Sequence, residues 1–279
     1  MNRKMVSLTT PVSDREPVVE LIGVDKNYGS VKVLDDFNLC LYPGEVVGLI
    51  GDNGAGKSTV VKIISGYEQS SRGQVLILGR SVKLRSPRKA RELGIETVYQ
   101  DLAIVDDLTI WRNFFLGREL RWGISRLKLL RRKEMKRICQ DELVEIGLVS
   151  LKSVDQVAST LSGGERQSLA ITRATYFELK LLILDEPVAA LSVRETRRVL
   201  EMIEAAKSRG LAVLYIDHNM SHVQPVADRI ILMEHGKVHR TISRGEFSVS
   251  QLSDLLAESG TSRMQWEHGA TRETSEPNN

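Results

Sequence analysis

Residues 51–59 read GDNGAGKST and follow the apolar run VVGLI at 46–50 directly. Gly51, Gly56, Lys57 and Ser58 stand at the spacing of a phosphate-binding loop. Such a loop needs glycine at Gly51, Gly54 and Gly56, because successive backbone N–H groups must converge on one anion and side chains would obstruct it. A helix expected to begin near Lys57 adds the positive end of its dipole. Asp52, Asn53, Ala55 and Thr59 complete the cradle. Lys57 is expected to neutralise the β- and γ-phosphates of a nucleotide, and the Ser58 hydroxyl to ligate magnesium.

The carboxylates that would work with this loop are in LLILDEP, 181–187. An apolar strand ending in an acid places that acid at the C-terminal edge of a parallel sheet, beside the phosphates. Asp185 is the expected magnesium-side carboxylate. Glu186 can point at the γ-phosphate and polarise the attacking water. His218 ends the next apolar strand, LAVLYID, where it can sense or orient the γ-phosphate. Its neighbour Asp217 should face away from the nucleotide if the strand persists that far, since strand periodicity turns adjacent side chains to opposite faces. Gln100 closes GIETVYQ, and its amide carbonyl can reach magnesium or the attacking water.

A second anion receptor is written in LSGGERQSLAITRA, 161–174. Ser162 and Glu165, three apart, form a capping box, so a helix starts here. Gly163 and Gly164 leave its first turn bare, which capping alone does not require, since each glycine costs about 1 kcal/mol in helix propensity. Exposed N–H groups, a serine hydroxyl and a helix start again suit a phosphate. The two receptors serve one γ-phosphate either within one chain or across a head-to-tail pair, and the residues alone leave both open.

These groups need a scaffold. From Val18 onward the chain shows short β-like runs (VVELIGV, VKVLDDFNLCLY, VVGLI, GQVLILG), with Pro43-Gly44 as a turn. TIWRNFFLGREL and RLKLLRRKEMKRICQDELVEIG read as helices, the second ending at Gly147. LLILD (181–185) and LAVLYI (211–216) return to β, separated by the helical RETRRVLEMIEAAKSRG. Strands alternating with helices imply a largely parallel sheet, with a mainly helical segment, 101–178, inserted into it. Residues 1–16 read as a loose leader, 17–256 as the folded unit and 257–279 as a polar, disordered tail.

Composition sets limits. The chain has 279 residues, with 39 basic against 36 acidic ones, a net charge of +3 that does not suit a nucleic-acid binder. Two cysteines give no disulfide framework and point to a cytosolic setting. No signal peptide is visible, and no apolar run approaches the roughly 20 residues of a membrane span, so the chain cannot itself form a pore. Nine Lys/Arg and two Glu lie between Arg118 and Arg137. That excess reads as a solvated helical face, as attraction to an anionic leaflet, or, with no base-reading motif beside it, least well as a nucleic-acid contact.

GDNGAGKST, Gln100 in VYQD, LSGGERQ, LILDEP and His218 in IDHN, in this order, resemble the ATP-binding subunits of ABC transporters over about Val18 to Phe247. The resemblance implies an α/β fold: a P-loop NTPase core with a mainly parallel sheet, an antiparallel β subdomain and an inserted helical subdomain. It also implies ATP and Mg2+ as cofactors, with Glu186, His218 and Gln100 as catalytic residues and Ser58, Gln100 and Asp185 at the metal. Tyr28 falls where the family stacks an aromatic ring on adenine. Ser162, Gly163 and Gly164 would close on the ATP of an opposite subunit in a homodimer. GIETVYQDLAIVDDLTIWRNFFLGRE and DEPVAALSVRE further resemble the ATPases of bacterial importers for ribose, fructose and xylose. That implies a subunit on the cytoplasmic face of the inner membrane, working with integral-membrane permease subunits and, indirectly, an extracytoplasmic sugar-binding protein. With length for one ATPase half, the chain would pair with itself. The alternatives are an ABC ATPase for another cargo, or a non-transport ABC ATPase, which would need a coiled-coil insertion or tandem halves. The chain departs from the family pattern at Val188, Ser192 and Asp217.

Overall fold

The computed structural model describes residues 15–123, 129–148, 153–189 and 191–246. The expected leader lies almost wholly outside these residues, and so does the expected tail.

The chain opens with two long strands, β1 (Val19–Tyr28) and β2 (Val31–Leu41), paired antiparallel. Val19, Leu21 and Val24 turn to the core while Ile22 is left outside. β3 (Val46–Ile50) is VVGLI, every residue buried, as suits a strand covered on both faces. It leads through the glycine loop into α1 (Lys57–Ile64). β4 (Arg72–Ile77) and β5 (Arg80–Ser81) complete a four-stranded sheet, ordered β2-β1-β4-β5, with antiparallel pairing throughout. α2 (Pro87–Glu92) begins with Pro at its first position and a Ser86 cap. β6 (Ile95–Val98) follows.

Next come α3 (Ile110–Phe114), the hairpin of β7 (Arg121–Trp122) and β8 (Leu129–Leu130), α4 (Arg132–Glu145) and α5 (Gly163–Tyr176). The hairpin corrects the sequence reading, which runs one helix from Arg126 to Gly147. Leu129 instead pairs with Trp122, and Arg131 N bonds to Leu120 O, so cross-strand pairing takes the apolar residues a helix would have used. The predicted stop at Gly147 is present, with φ +77°. The earlier helix is also shorter than TIWRNFFLGREL suggests, Gly117 turning the chain at the same φ.

The chain ends in β9 (Leu181–Asp185), α6 (Val193–Ser208), β10 (Ala212–Ile216), α7 (Met220–Val223), β11 (Arg229–Glu234) and β12 (Lys237–Ser243). The second sheet runs β12-β11-β3-β10-β9-β6, parallel except for β12.

Strand alternation divides this sheet between two cores. Val47, Leu49, Leu181, Ile183 and Leu214 pack with α1 and the antiparallel sheet, so α1 lies between the two sheets. Val46, Ile50, Leu182, Leu184, Val213 and Tyr215 pack on the other side, against α6 and α7. A third core joins α3, α4 and α5 through Ile110, Phe114, Met135, Cys139 and Leu169. α5 links the second and third cores, because its next residues, Ala170 and Ile171, belong to the second.

Candidate active site

β11, β3, β10, β9 and β6 are parallel, so the loops that follow their C-terminal ends gather at one edge. The loop after β3 carries the phosphate motif. Its glycines do different work. A Cβ on Gly51 would meet Met233 O at 2.2 Å, and one on Gly56 would meet Met233 Cε at 2.7 Å and Val33 O at 3.0 Å. These two permit close packing against β11 and β2. Gly54, with φ +87°, has nothing within 4 Å and is the open face of the cradle. The sequence reading gives all three to anion approach, and packing gives Gly51 and Gly56 a second reason to lack a side chain.

Lys57 is buried, and its Nζ donates to Gly51 O at 2.6 Å and Asp52 O at 3.0 Å. Burial holds its pKa below the usual lysine value, against the pull of Glu186, Asp185, Asp52 and Asp217. Ser58 is exposed between buried Lys57 and Thr59. Thr59 N and Val60 N bond back to Gly56 O, whereas among the described residues no acceptor faces the amides of Gly54, Gly56, Lys57 or Ser58. Orphan donors around an open glycine fit a bound phosphate. The hydroxyl of Ser58 and the carboxylate of Asp185 are hard oxygen donors of the kind magnesium takes.

Asp185 ends β9, and burial, reinforced by the neighbouring Glu186, raises its pKa while Lys57 opposes the rise. Glu186 has φ +48°, uncommon for a side-chain-bearing residue, and its N–H is tied to Ile216 O at 2.9 Å. Its Oε1 lies 3.1 Å from Nδ1 of His218, whose side chain is 60% exposed. Gln100 follows two residues after β6, exposed, and register Val98↔Leu184 sets it at the same edge.

β10 ends at Ile216, so strand alternation does not govern Asp217. The residue nonetheless turns inward, into hydrogen bonds of its own turn, while His218 turns out. Tyr28 ends β1 beside the loop. Its hydroxyl bonds to Glu68, and Lys26 Nζ sits 4.9 Å from the ring centroid. Burial first, then Glu68, raises the phenol's pKa, and Thr59 in the first turn of α1 opposes the rise. Lys26, two residues before Tyr28 on β1, shares its face by strand alternation, whereas Glu68, forty positions away in the turn after α1, carried no local signal.

Ser162 caps α5 as the spacing predicts: its Oγ accepts from Glu165 N at 3.2 Å, and Glu165 Oε2 accepts from Ser162 N at 2.8 Å. The turn is only half bare, however. Ser162 and Gly163 are exposed, but Gly164 is buried and its N–H donates to Glu195 Oε1 at 3.2 Å. A Cβ on Gly164 would stand 2.4 Å from Glu195 Cγ, so this glycine is required by packing. Glu195 belongs to a second capping box, with Ser192 at the start of α6. The S-x-x-E spacing at 192–195 was its signal in the sequence. Ser192, one of the departures from the family pattern, is therefore a helix cap.

A parallel sheet whose central strand feeds a glycine loop into a helix start, with acids ending the next strand but one, defines a P-loop NTPase. The ABC transporter family model matches residues 34–189, more than half of the 279-residue chain, from β2 through both carboxylates. The chain belongs to that family, as an ATP-binding, ATP-hydrolysing subunit. It is 44% identical to the fructose import ATP-binding protein FrcA of Rhizobium meliloti, over 85% of this chain and 92% of that one. It is 43% identical to the xylose/arabinose import ATP-binding protein XylG of Sulfolobus acidocaldarius, over 86% and 93%. The ribose import ATP-binding protein RbsA 1 of Burkholderia cenocepacia matches at 37% identity, and this chain spans 46% of its length. Among solved structures, an ATP-binding subunit of an ABC transporter aligns at TM-score 0.69 with 25% identity, over 86% of this chain and 99% of that one. A nucleotide-free ATP-binding cassette from an ABC transporter aligns at TM-score 0.71 with 22% identity, covering 82% and 92%. Among the described residues no helix is long and apolar enough to cross a membrane.

Proposed function

We propose that this chain powers import of a monosaccharide through a separate membrane permease, by closing as a homodimer on two ATP molecules at the cytoplasmic face of the inner membrane. The observation that carries the reading is the grouping of Lys57, Asp185, Glu186 and His218 at one sheet edge, in a chain whose relatives include fructose and xylose/arabinose import proteins.

In this reading the orphan amides and Lys57 hold the phosphates, and the exposed face of Tyr28 takes the adenine. Ser58, Asp185 and Gln100 would hold magnesium, which would offset the negative charge of the phosphates. Glu186 orients the attacking water, and His218 contacts the γ-phosphate. Exposed Ser162 and Gly163 receive the γ-phosphate bound by the second copy. The helical region, approximately 101–178, faces the permease. In support, a cavity of about 500 Å3 opens between that region and the sheet, lined by Glu96, Tyr99, Phe114, Arg118, Arg173 and Phe177. Closure does work only to the extent that ATP binds the closed pair better than the open one.

Glu186→Gln should keep ATP affinity, lower turnover by about a thousandfold and trap an ATP-loaded dimer, read by nucleotide titration, phosphate release and light scattering. Full turnover in that variant removes Glu186 from its role, and a strict monomer removes the paired mechanism. Copurification with a multi-span permease, and sugar uptake that fails in the variant, test the transport assignment.

A further inference from the structure

Asp217 is the most buried charged residue among those described, with 2% of its surface exposed. A carboxylate in such a place needs partners that replace its water. Asn219 N donates to Oδ1 at 2.9 Å, and Nδ1 of His222 stands 3.0 Å from Oδ2. On its other flank, Oδ1 lies 3.6 Å from Nδ1 of His218, the nitrogen that Glu186 Oε1 meets at 3.1 Å. One ring nitrogen thus faces two carboxylates.

Ionised carboxylates only accept, so Nδ1 carries hydrogen in both rings. For His222 the other side agrees. Its Nε2 lies 3.3 Å from the side-chain amide nitrogen of Asn219, and the amide oxygen of Asn219 already accepts from Ser221 N at 3.0 Å and Ser221 Oγ at 2.7 Å. The tautomer of His222 is therefore set by its surroundings, and with it the position of Asp217.

We propose that Asp217 is a positioning residue for His218, accepting its Nδ1–H when Glu186 turns toward the attacking water. This rests on the reading of Glu186 and His218 given above. A turn of the Glu186 side chain toward a water lengthens its 3.1 Å contact to His218 Nδ1. A second acceptor, already fixed by Asn219 and His222, keeps the ring in place when the first departs. Nε2 of His218 has no partner among the described residues and is the nitrogen left to donate to a phosphate oxygen when it too carries a proton.

The test titrates the full chain with MgADP and with a magnesium-bound, non-hydrolysable ATP analogue. Asp217→Asn and His218→Ala should each weaken the analogue by about tenfold, the worth of one hydrogen bond to a charged group, while ADP changes by less than about twofold. In the same variants kcat should fall more than KM rises, and Asp217→Asn should add nothing in the His218→Ala background. His222→Leu, which leaves Asp217 one partner short, should behave like Asp217→Asn. His222→Gln, which keeps a donor, should restore the analogue-to-ADP ratio. If His218→Ala loses that ratio and Asp217→Asn retains it, the positioning role is overturned while the reading of His218 stands. If His218→Ala itself retains it, the earlier reading fails. An equal loss of ADP and analogue in Asp217→Asn marks a merely structural residue and also overturns the proposal. Should Asp217→Asn not fold, the Leu and Gln variants at the less buried His222 carry the same decision.

Discussion

The chain has two glycine-rich helix starts, and they are built to opposite plans. At α1, Gly51 and Gly56 are locked against Met233 and Val33, and Lys57 is buried over its own loop carbonyls. At α5, Ser162 and Gly163 lie on the surface, and the one enclosed amide, that of Gly164, is already taken by Glu195. In the proposed reading the first is organised in advance for a phosphate held by this chain. The second, in the same reading, is a receptor whose ligand arrives on another body. Similar residue types, a few glycines before a helix, thus give a closed site or an open one according to what packs behind them.

The largest effect that would break this contrast lies at Lys57. Removing a cation that neutralises bound phosphate costs about 2–5 kcal/mol, so Lys57→Ala should weaken ADP thirtyfold or more. Ser162→Ala should leave ADP affinity of the single chain unchanged. Calorimetric titration of both decides it, and weaker ADP binding in Ser162→Ala would mean that the two starts share one ligand within the chain.

The adjacent glycines sharpen the contrast further. Gly164→Ala places a methyl 2.4 Å from Glu195 Cγ and should lower unfolding free energy by about 1–3 kcal/mol. Gly163→Ala meets only Leu191 Cδ2 at 3.8 Å, so helix propensity should leave the fold unchanged or steadier by up to about 1 kcal/mol. Its ATP turnover should nevertheless fall, because the methyl stands where another copy's phosphate would approach. A stable, fully active Gly163→Ala would remove the exposed start from catalysis.

The sequence made much of this legible, for physical reasons. VVGLI and LLILD are wholly apolar runs flanked by turn and acid signals, and the structure has both as strands with those bounds. The capping box at Ser162 is a local pattern, and it is present. Contacts made by distant segments were invisible. Nothing near Gly164 in the chain announces Glu195, thirty-one positions away. Nothing near residues 126–130 says that Leu129 will face Trp122 in a hairpin and so leave the helix. Strand alternation bears on Asp217 only if the strand reaches it; β10 ends at Ile216, and local hydrogen bonds to Asn219 and His222 set its position.

The smallest prediction concerns the bridge between the starts of α5 and α6. Glu195 Oε2 accepts from Ser192 N at 3.0 Å while its Oε1 accepts from Gly164 N, so one carboxylate serves two helix starts. Those hydrogen bonds, from the Ser192 backbone first, hold the Glu195 pKa below the usual carboxylate range. Each serine cap is worth about 1 kcal/mol, so Ser162→Ala and Ser192→Ala should each lower denaturant stability by roughly that amount. Because Glu195 touches both turns, the double variant should depart from the sum by about 0.5 kcal/mol or more. Strict additivity would mean that the two helix starts are neighbours without being coupled. In that event the Ser192 turn could not report, through Glu195, on what Ser162 and Gly163 have bound.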